Sequence, residues 1–221
     1  MTTLKDSEAT EQVDLRHWRV VLGRLHATFR TGTFAQGVEL VSRIGAVADE
    51  VGHHPDVDLR YPAVHISTVS HDVMALTDRD IRLAEAITGI ADAMGLTADT
   101  VVPQSLEIAV DALDIPSVVP FWRAVLGYQD EGPVAEDASP ALVDPSGRGP
   151  AVWFQQMDQP RPQRNRIHFD VSVPHDVAVA RVEAAIAAGG HLVSDRRAPA
   201  FWVLADPEGN EVCVCTWQNR D

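Results

Sequence analysis

Residues 49–55 read Asp-Glu-Val-Gly-His-His-Pro and join a helical pattern to a β-rich one. Upstream of this stretch, apolar residues from Phe34 to Val51 recur at helical spacing. The glycine stops that helix and the proline turns the chain that follows. Adjacent histidines face different directions, so His53 and His54 can reach one pocket only where the backbone turns. The stretch therefore predicts a helix end that directs two histidines to one site.

The elements around this stretch form one self-contained set. They comprise a strand or strand pair over residues 17–29, a helix capped by Thr33, a β-rich run over 64–70, and a second helix from Thr77 to Gly95. We predict that residues 15–96 form an α+β sandwich of two helices on an antiparallel sheet. Residues 1–14 are polar and are predicted to be disordered or frayed. Residues 97–104, which include a proline, are predicted to be a linker.

Residues 105–221 contain an internal repeat. Each half has a strand, a helix ended by glycine, and an Asp-Pro-x-Gly turn that leads into a final strand. The turns begin at Asp144 and Asp206, 62 residues apart, and the two first strands are offset by 61 residues. Near-equal offsets of this kind indicate duplicated units. We predict two paired βαβββ modules that close one shared sheet.

The net charge of −14 limits the classes of partner. Such a surface repels phosphate backbones and anionic membranes, which argues against binding to nucleic acid or to a membrane. No apolar run is long enough to span a bilayer, and the N-terminal sequence lacks the parts of a signal peptide. Cys213 and Cys215 lie two residues apart in a strand-like run, a poor geometry for a mutual disulfide. These features predict a cytoplasmic protein.

Histidines and carboxylates in the first half are candidates for proton transfer. The set comprises Asp49, His53, His54, His71 and Asp80. Histidine gives or takes a proton near neutral pH, so the set could supply the acid and the base that expel a hydroxyl from a carbinolamine. A structural interpretation is also open, because a helix C-terminus favours cationic histidine and Asp80 can act as a cap partner. Three histidines could also bind zinc.

The spacing of these residues resembles that of the pterin-4a-carbinolamine dehydratase family over residues 15–95. Its signature of a charged residue, His-His-Pro, an aromatic residue, a histidine and an aspartate matches Asp49, His53-His54-Pro55, Tyr61, His71 and Asp80, with every gap correct. The resemblance implies a homodimer or homotetramer with a metal-free pterin site. It implies that the three histidines bind and catalyse, that the two aspartates orient or tune them, and that Pro55 and Tyr61 also contact substrate.

Residues 105–217 resemble the glyoxalase, or vicinal oxygen chelate, superfamily. The matching stretches are residues 107–110, 114–128, 165–170 and 206–211. This scaffold hosts isomerases, dioxygenases, resistance enzymes and plain binders, so the resemblance implies a fold and a cavity for an unidentified small molecule. Trp153, Phe154, Trp202 and Trp217 are candidates either for the cavity wall or for the core.

The superfamily resemblance also implies positions for a divalent metal. Members that use a metal place ligands at four positions, which correspond to Glu107, Gln155 or Gln156, His168 and Cys213. Glutamate and histidine are good donors. Glutamine is a weak ligand and cysteine replaces the usual glutamate, so the match to a hard-metal site is incomplete. His168 beside Asp170 can also be a hydrogen-bonded pair.

We expect a homo-oligomeric lyase that dehydrates 4a-hydroxytetrahydrobiopterin, or a related 4a-hydroxytetrahydropterin, to the quinonoid dihydropterin without a cofactor. Two alternatives stay open. The C-terminal domain could do the main work as a metal-dependent glyoxalase-type or dioxygenase-type enzyme. The chain could instead be a non-catalytic dimerisation or binding module, since relatives of the first domain also act as partners of a transcription factor.

Overall fold

The computed structural model describes residues 2–132, 139–161, 163 and 167–219. The chain divides into two compact units, residues 1–105 and residues 106–221. Each unit has its own cluster of buried apolar side chains. Within the described residues, no helix is both long and apolar enough to cross a membrane.

The first unit is an antiparallel sheet covered by helices. Its elements are α1 (Asp6–Gln12), β1 (Arg19–Val21), β2 (Arg24–Arg30), α2 (Phe34–Val51), β3 (Asp56–Arg60), β4 (Ala63–Thr68), α3 (Asp78–Ala93) and β5 (Thr97–Ala98). The strand order is β1-β2-β4-β3, and β5 pairs with β2. Helices α2 and α3 each bury one apolar stripe, and Trp18, Phe29 and Leu83 lie fully buried in the core. The α+β architecture predicted for this unit is confirmed.

The N-terminal segment differs from its prediction as a frayed tail. Residues 6–12 form α1, and Ala9 on this helix is completely buried. Leu4 donates its N–H to the carbonyl of Leu76 at 2.8 Å and packs with Ala9 and Val13 on the core. Three apolar residues in a polar segment are too weak a pattern to indicate a helix, and packing on the core decides the structure.

Two short strands also lie outside the predicted elements. β3 is exposed at four of its five positions, so its sequence lacks the alternation that marks a half-buried strand. β5 occupies the first two residues of the predicted linker, where Ala98 pairs with Phe29. Both strands exist because backbone groups of a neighbouring strand need partners.

The second unit contains two modules with the same order of elements. They are β6 (Glu107–Ala112), α4 (Ile115–Leu126), β7 (Gln129–Asp130), β8 (Ala141–Val143) and β9 (Ala151–Gln156), then β10 (Phe169–Ser172), α5 (Ala178–Ala187), β11 (His191–Arg197), β12 (Phe201–Ala205) and β13 (Glu211–Cys215). The strand orders are β6-β9-β8-β7 and β10-β13-β12-β11. In each module the first and last strands pair in parallel. The predicted pair of βαβββ modules is confirmed.

The modules share a core and do not share a sheet within the described residues. Each forms its own four-stranded sheet, which corrects the prediction of one common sheet. α4 packs against α5, and Phe121, Phe154 and Val214 belong to one buried cluster that both modules build. The Trp122 indole N–H also donates to the Asp206 carboxylate at 3.0 Å. Side-chain packing therefore joins the repeats where we expected backbone pairing.

Candidate functional site

The C-terminus of α2 directs two consecutive histidines to different surroundings. Gly52 adopts φ 63° and ψ 33°, the left-handed conformation that glycine reaches without strain. The His53 N–H then donates to the Ala48 carbonyl at 3.1 Å and closes the turn on the helix. His53 is buried, with 6% of its surface exposed, whereas 63% of the His54 side chain is exposed. The turn at Gly52 thus gives the two rings different surroundings.

His53 is held by a buried carboxylate on α3. Its Nε2 lies 2.8 Å from Asp80 Oδ1, and Asp80 has no exposed surface. The Thr68 hydroxyl donates to Oδ1 at 2.8 Å, and the Ser70 hydroxyl donates to Oδ2 at 2.7 Å. The Thr77 N–H donates to Oδ2 at 2.9 Å.

These hydrogen bonds decide the charge on Asp80. Burial raises the pKa of Asp80, but donation from His53, Ser70, Thr68 and Thr77 outweighs burial and lowers this pKa below its ordinary value. The carboxylate is therefore an anion at neutral pH. An anion accepts hydrogen bonds only, so Nε2 of His53 carries a proton and its Nδ1 is left to accept or exchange another.

His54 has a different partner at the surface. Its Nε2 lies 3.0 Å from Asp49 Oδ1, and 82% of the Asp49 side chain is exposed. An exposed pair of this kind contributes little to stability because water screens the charges. The pair orients the imidazole of His54 at the end of α2.

The three predicted histidines line one open cavity of about 410 Å³. His71 reaches it from the loop that follows β4, while His53, His54 and Pro55 reach it from the end of α2. The structure thus brings together four of the predicted site residues, with Asp49 and Asp80 bonded to two of the histidines.

Arg79 and Asp72 complete the wall of this cavity, and sequence reasoning assigned neither a role. The Arg79 guanidinium forms an ion pair with Asp72 and holds the pKa of that carboxyl below its ordinary value. Arg79 Nε is buried and has no hydrogen-bond partner among the residues that the structure describes. The sequence feature that could have indicated them is their position beside predicted site residues, since Asp72 follows His71 and Arg79 precedes Asp80.

Thr68 and Ser70 were also missed, although their signal was present. They stand two residues apart at the end of a β-rich run, so their side chains share one face. Polar residues on the inner face of such a strand require buried partners. In the structure that partner is Asp80.

Tyr61 does not line the cavity. Asp56 lies at the cavity and begins β3, whereas Tyr61 follows the last residue of that strand. At about 3.3 Å per residue, five residues of strand separate the two positions by roughly 17 Å. Tyr61 is 71% exposed at the distal turn. Within one chain Tyr61 therefore lies away from the three histidines, and its contact with substrate stays a prediction.

The second unit contains a larger cavity of about 670 Å³. Its lining includes Trp122 and Phe169, whose rings meet edge to face at a centroid distance of 5.8 Å. The acidic side chains of Glu107, Asp111 and Glu211 also line it. The aromatic candidates chosen from the sequence lie elsewhere: Phe154 is buried core, Trp202 packs against the core, Trp217 contacts His175, and Trp153 is absent from the lining.

The four candidate metal-ligand positions fall on two sheets. Glu107 and Gln155 belong to β6 and β9, whereas Cys213 belongs to β13 and His168 immediately precedes β10. The amide nitrogen of Gln156 donates to the backbone carbonyls of Leu113 and Met157. Among described His, Cys, Asp and Glu side chains, the one converging set of three is His168, Asp170 and Cys213.

Cys213 is a buried thiol in this set. Burial, followed by the nearby negative charge of Asp170, raises its pKa to about 12. A thiol in these surroundings is neutral at physiological pH and is a poor nucleophile unless a cation lies beside it.

Comparison with known proteins divides the chain in the same place. Residues 2–90 match the family model described as pterin 4 alpha carbinolamine dehydratase, and residues 107–215 match the one described as glyoxalase-like domain. The boundary between the two compact units falls between these matches.

Individual relatives match one part of the chain. A protein of Herpetosiphon aurantiacus named "Putative pterin-4-alpha-carbinolamine dehydratase" is 42% identical over 73 residues, which cover 33% of this chain and 76% of that protein. A protein of the same name from Chloroflexus aurantiacus is 35% identical over 91 residues, which cover 41% of this chain and 98% of that protein. The solved structure of a transcriptional coactivator/pterin dehydratase from Brucella melitensis is 23% identical with a TM-score of 0.38, over 41% of this chain and 99% of that one.

Proposed function

Because the chain belongs to the pterin-4-alpha-carbinolamine dehydratase family, we propose that its first unit dehydrates a 4a-hydroxytetrahydropterin, such as 4a-hydroxytetrahydrobiopterin, to the quinonoid dihydropterin. One observation carries this proposal. A buried His53–Asp80 pair faces an open cavity that His54 and His71 also line. Such an arrangement offers oriented proton donors and acceptors at one place, as elimination of water requires.

The reaction removes one water and changes no oxidation state overall. The bond from ring carbon 4a to the hydroxyl oxygen breaks, that oxygen takes a proton and leaves as water, and a ring nitrogen gives up its proton. We assign the nitrogen proton to His53, because the anionic Asp80 stabilises the positive charge that the imidazole gains. The one proton that the departing oxygen takes then comes from His54, which Asp49 orients, or from His71.

The proposed chemistry needs no metal or other cofactor. His53 Nε2 is already engaged by Asp80, and the donor atoms of the three histidines do not form a converging triple within the described residues. Acid/base catalysis by protein groups supplies both proton transfers. Pro55 contributes an apolar surface against which a flat pterin ring can rest.

The test is the rate of 4a-hydroxytetrahydropterin dehydration, followed by ultraviolet absorbance, in wild type and in His71→Ala. We expect wild type to exceed the spontaneous rate and His71→Ala to lose about 10²-fold to 10⁴-fold of that acceleration. The matched control is His65→Ala. His65 lies on β4 outside the cavity and contacts the Thr28 hydroxyl at 3.0 Å.

A wild-type rate equal to that of buffer would reject the proposal. An equal loss in His65→Ala and His71→Ala would show a general effect on folding and would also count against a specific site. In either case the non-catalytic binding role would become the better explanation.

We propose a second, separate function for residues 106–221, which is to bind a small molecule in the 670 Å³ cavity. A cavity of this size with aromatic walls is typical of ligand sites. Cys213 is a free thiol, which agrees with a reducing cytoplasm as the place of action. We also propose that the chain self-associates.

A further inference from the structure

Three donors of different chemistry converge where β10 and β13 pair at the edge of the second module's sheet. The ligand atoms of His168, Asp170 and Cys213 all lie within 4.8 Å of one another. His168 Nε2 and Asp170 Oδ1 are 3.6 Å apart. The set includes an imidazole, a carboxylate and a thiol.

The fold itself produces this convergence. β10 and β13 pair in parallel, with Asp170 opposite Cys213. Side chains alternate along a strand, so His168 shares the face of Asp170 and lies two residues before it. The opposite face of β13 carries Val212 and Val214, which are buried in the core. Register and pleat therefore place the three donors on one face.

The separations suit a tetrahedral ion. Ligands held about 2.0–2.3 Å from a tetrahedral centre are about 3.3–3.7 Å from one another. The measured 3.6 Å between His168 and Asp170 already falls in that range. Both of these side chains are about half exposed, and Cys213 is buried. Small rotations of the two exposed side chains would bring all three donors to bonding distance.

We propose that His168, Asp170 and Cys213 bind one thiophilic divalent cation of the Zn²⁺ class within the second module. Zn²⁺ accepts nitrogen, oxygen and sulfur ligands together, whereas Mg²⁺, Ca²⁺ and Mn²⁺ prefer oxygen. The bound ion displaces the thiol proton of Cys213. Three protein ligands leave the fourth position of a tetrahedral ion for water or an exogenous ligand.

This site differs from the four-position arrangement implied by the glyoxalase resemblance. Glu107 lies on β6 of the other sheet and does not join the converging set. Asp170 takes part instead, although it was not among the predicted ligands. The donor set is softer than the oxygen-rich set of a hard octahedral metal because it contains a thiol. The site proposed here is local to one module.

The experiment uses the full chain, stripped of metal by a chelator, with Zn²⁺ and Co²⁺ as probes. We expect one Zn²⁺ per chain in competition with a chromophoric chelator, and a sulfur-to-cobalt charge-transfer band on addition of Co²⁺. His168→Ala and Asp170→Asn should each weaken Zn²⁺ binding by at least about tenfold. Cys213→Ser should also abolish the charge-transfer band.

Two matched controls separate this proposal from its alternatives. Cys215→Ala removes the other buried cysteine, on the same strand, and should leave both the Zn²⁺ affinity and the cobalt band unchanged. Glu107→Gln should also bind Zn²⁺ as wild type does. Since His168 and Asp170 are exposed, their variants keep the test informative even if Cys213→Ser does not fold.

Three results would overturn the proposal. The first is no Zn²⁺ binding above the level of His168→Ala. The second is a loss in Glu107→Gln as large as that in His168→Ala, which would favour the four-position site. The third is a cobalt band that disappears in Cys215→Ala and persists in Cys213→Ser. None of these readouts depends on dehydration in the first unit.

Discussion

Asp80 has no exposed surface and accepts hydrogen bonds from the side chains of His53, Thr68 and Ser70 and from the N–H of Thr77. A buried carboxylate is stable as an anion only when its oxygens are satisfied in this way. The single residue therefore connects the end of α2, the end of β4 and the start of α3. The carboxylate that orients the His53 ring is thus itself held in place by Thr68, Ser70 and Thr77.

At the residue scale, we predict that Asp80→Asn destabilises the chain by about 1–3 kcal/mol at pH 7, because an amide nitrogen faces buried donors. The pKa of Asp80 is lower in the folded chain than the ordinary 3.8. Its ionised form therefore stabilises the fold above about pH 4, and this contribution is lost as pH falls through the folded-state pKa. In urea unfolding, the difference in the free energy of unfolding between wild type and variant should become smaller as the pH is lowered.

The control for this prediction is Asp49→Asn, because 82% of the Asp49 side chain is exposed. The free energy of unfolding of Asp49→Asn should match that of wild type both at pH 7 and in the acidic range. If Asp80→Asn lowers the free energy of unfolding equally at pH 7 and in the acidic range, the negative charge assigned to Asp80 is contradicted.

At the element scale, the end of α2 determines where the histidines point. We predict that Gly52→Ala lowers the free energy of unfolding by about 1–2 kcal/mol, because Gly52 has a left-handed φ of 63°. The same substitution should lower the dehydration kcat. Gly95→Ala at φ 65° follows α3 and should cost a similar amount without affecting kcat. A Cβ added at either position meets no neighbouring atom within 4 Å, so conformation alone is compared.

Thermal unfolding and dehydration kinetics of the two glycine variants provide the measurement. Equal kcat values at a temperature where both variants are folded would show that the turn at Gly52 has no influence on the catalytic geometry.

At the scale of the whole molecule, each compact unit has its own core. A unit with its own core can fold alone. We predict that a chain ending at Ser105 folds cooperatively and keeps the dehydration rate of the full chain within about a factor of a few, measured by circular dichroism and by the absorbance assay. A folded fragment without dehydration activity would show that the second unit is needed for the reaction.

Self-association is also a property of the whole molecule. The outer side of α2 exposes Phe34 and Val38, at 54% and 49%. Adjacent apolar side chains at helical spacing are favourable contacts between copies of a chain. We predict that the double variant Phe34→Glu and Val38→Glu lowers the sedimentation-equilibrium mass relative to wild type. An unchanged mass would exclude this face as the contact.

Much of this organisation follows from local patterns in the sequence. The helices that begin after Thr33 and Thr77 carry apolar residues at helical spacing between recognisable caps, so their positions depend on neighbouring residues alone. The repeat in the second half was visible as two equally spaced Asp-Pro-x-Gly turns. The set of histidines was also visible, because their spacing matches a family signature.

The tertiary structure alone decided the contacts between distant segments. His53 pairs with the buried Asp80, whereas His54 pairs with the exposed Asp49. The chain reaches these different surroundings through the left-handed turn at Gly52. Asp170 joined His168 and Cys213 because strand register placed it there, 43 residues from the cysteine. Such contacts depend on long-range pairing and on competition for buried hydrogen-bond partners, whereas sequence patterns record only nearest neighbours and periodicity.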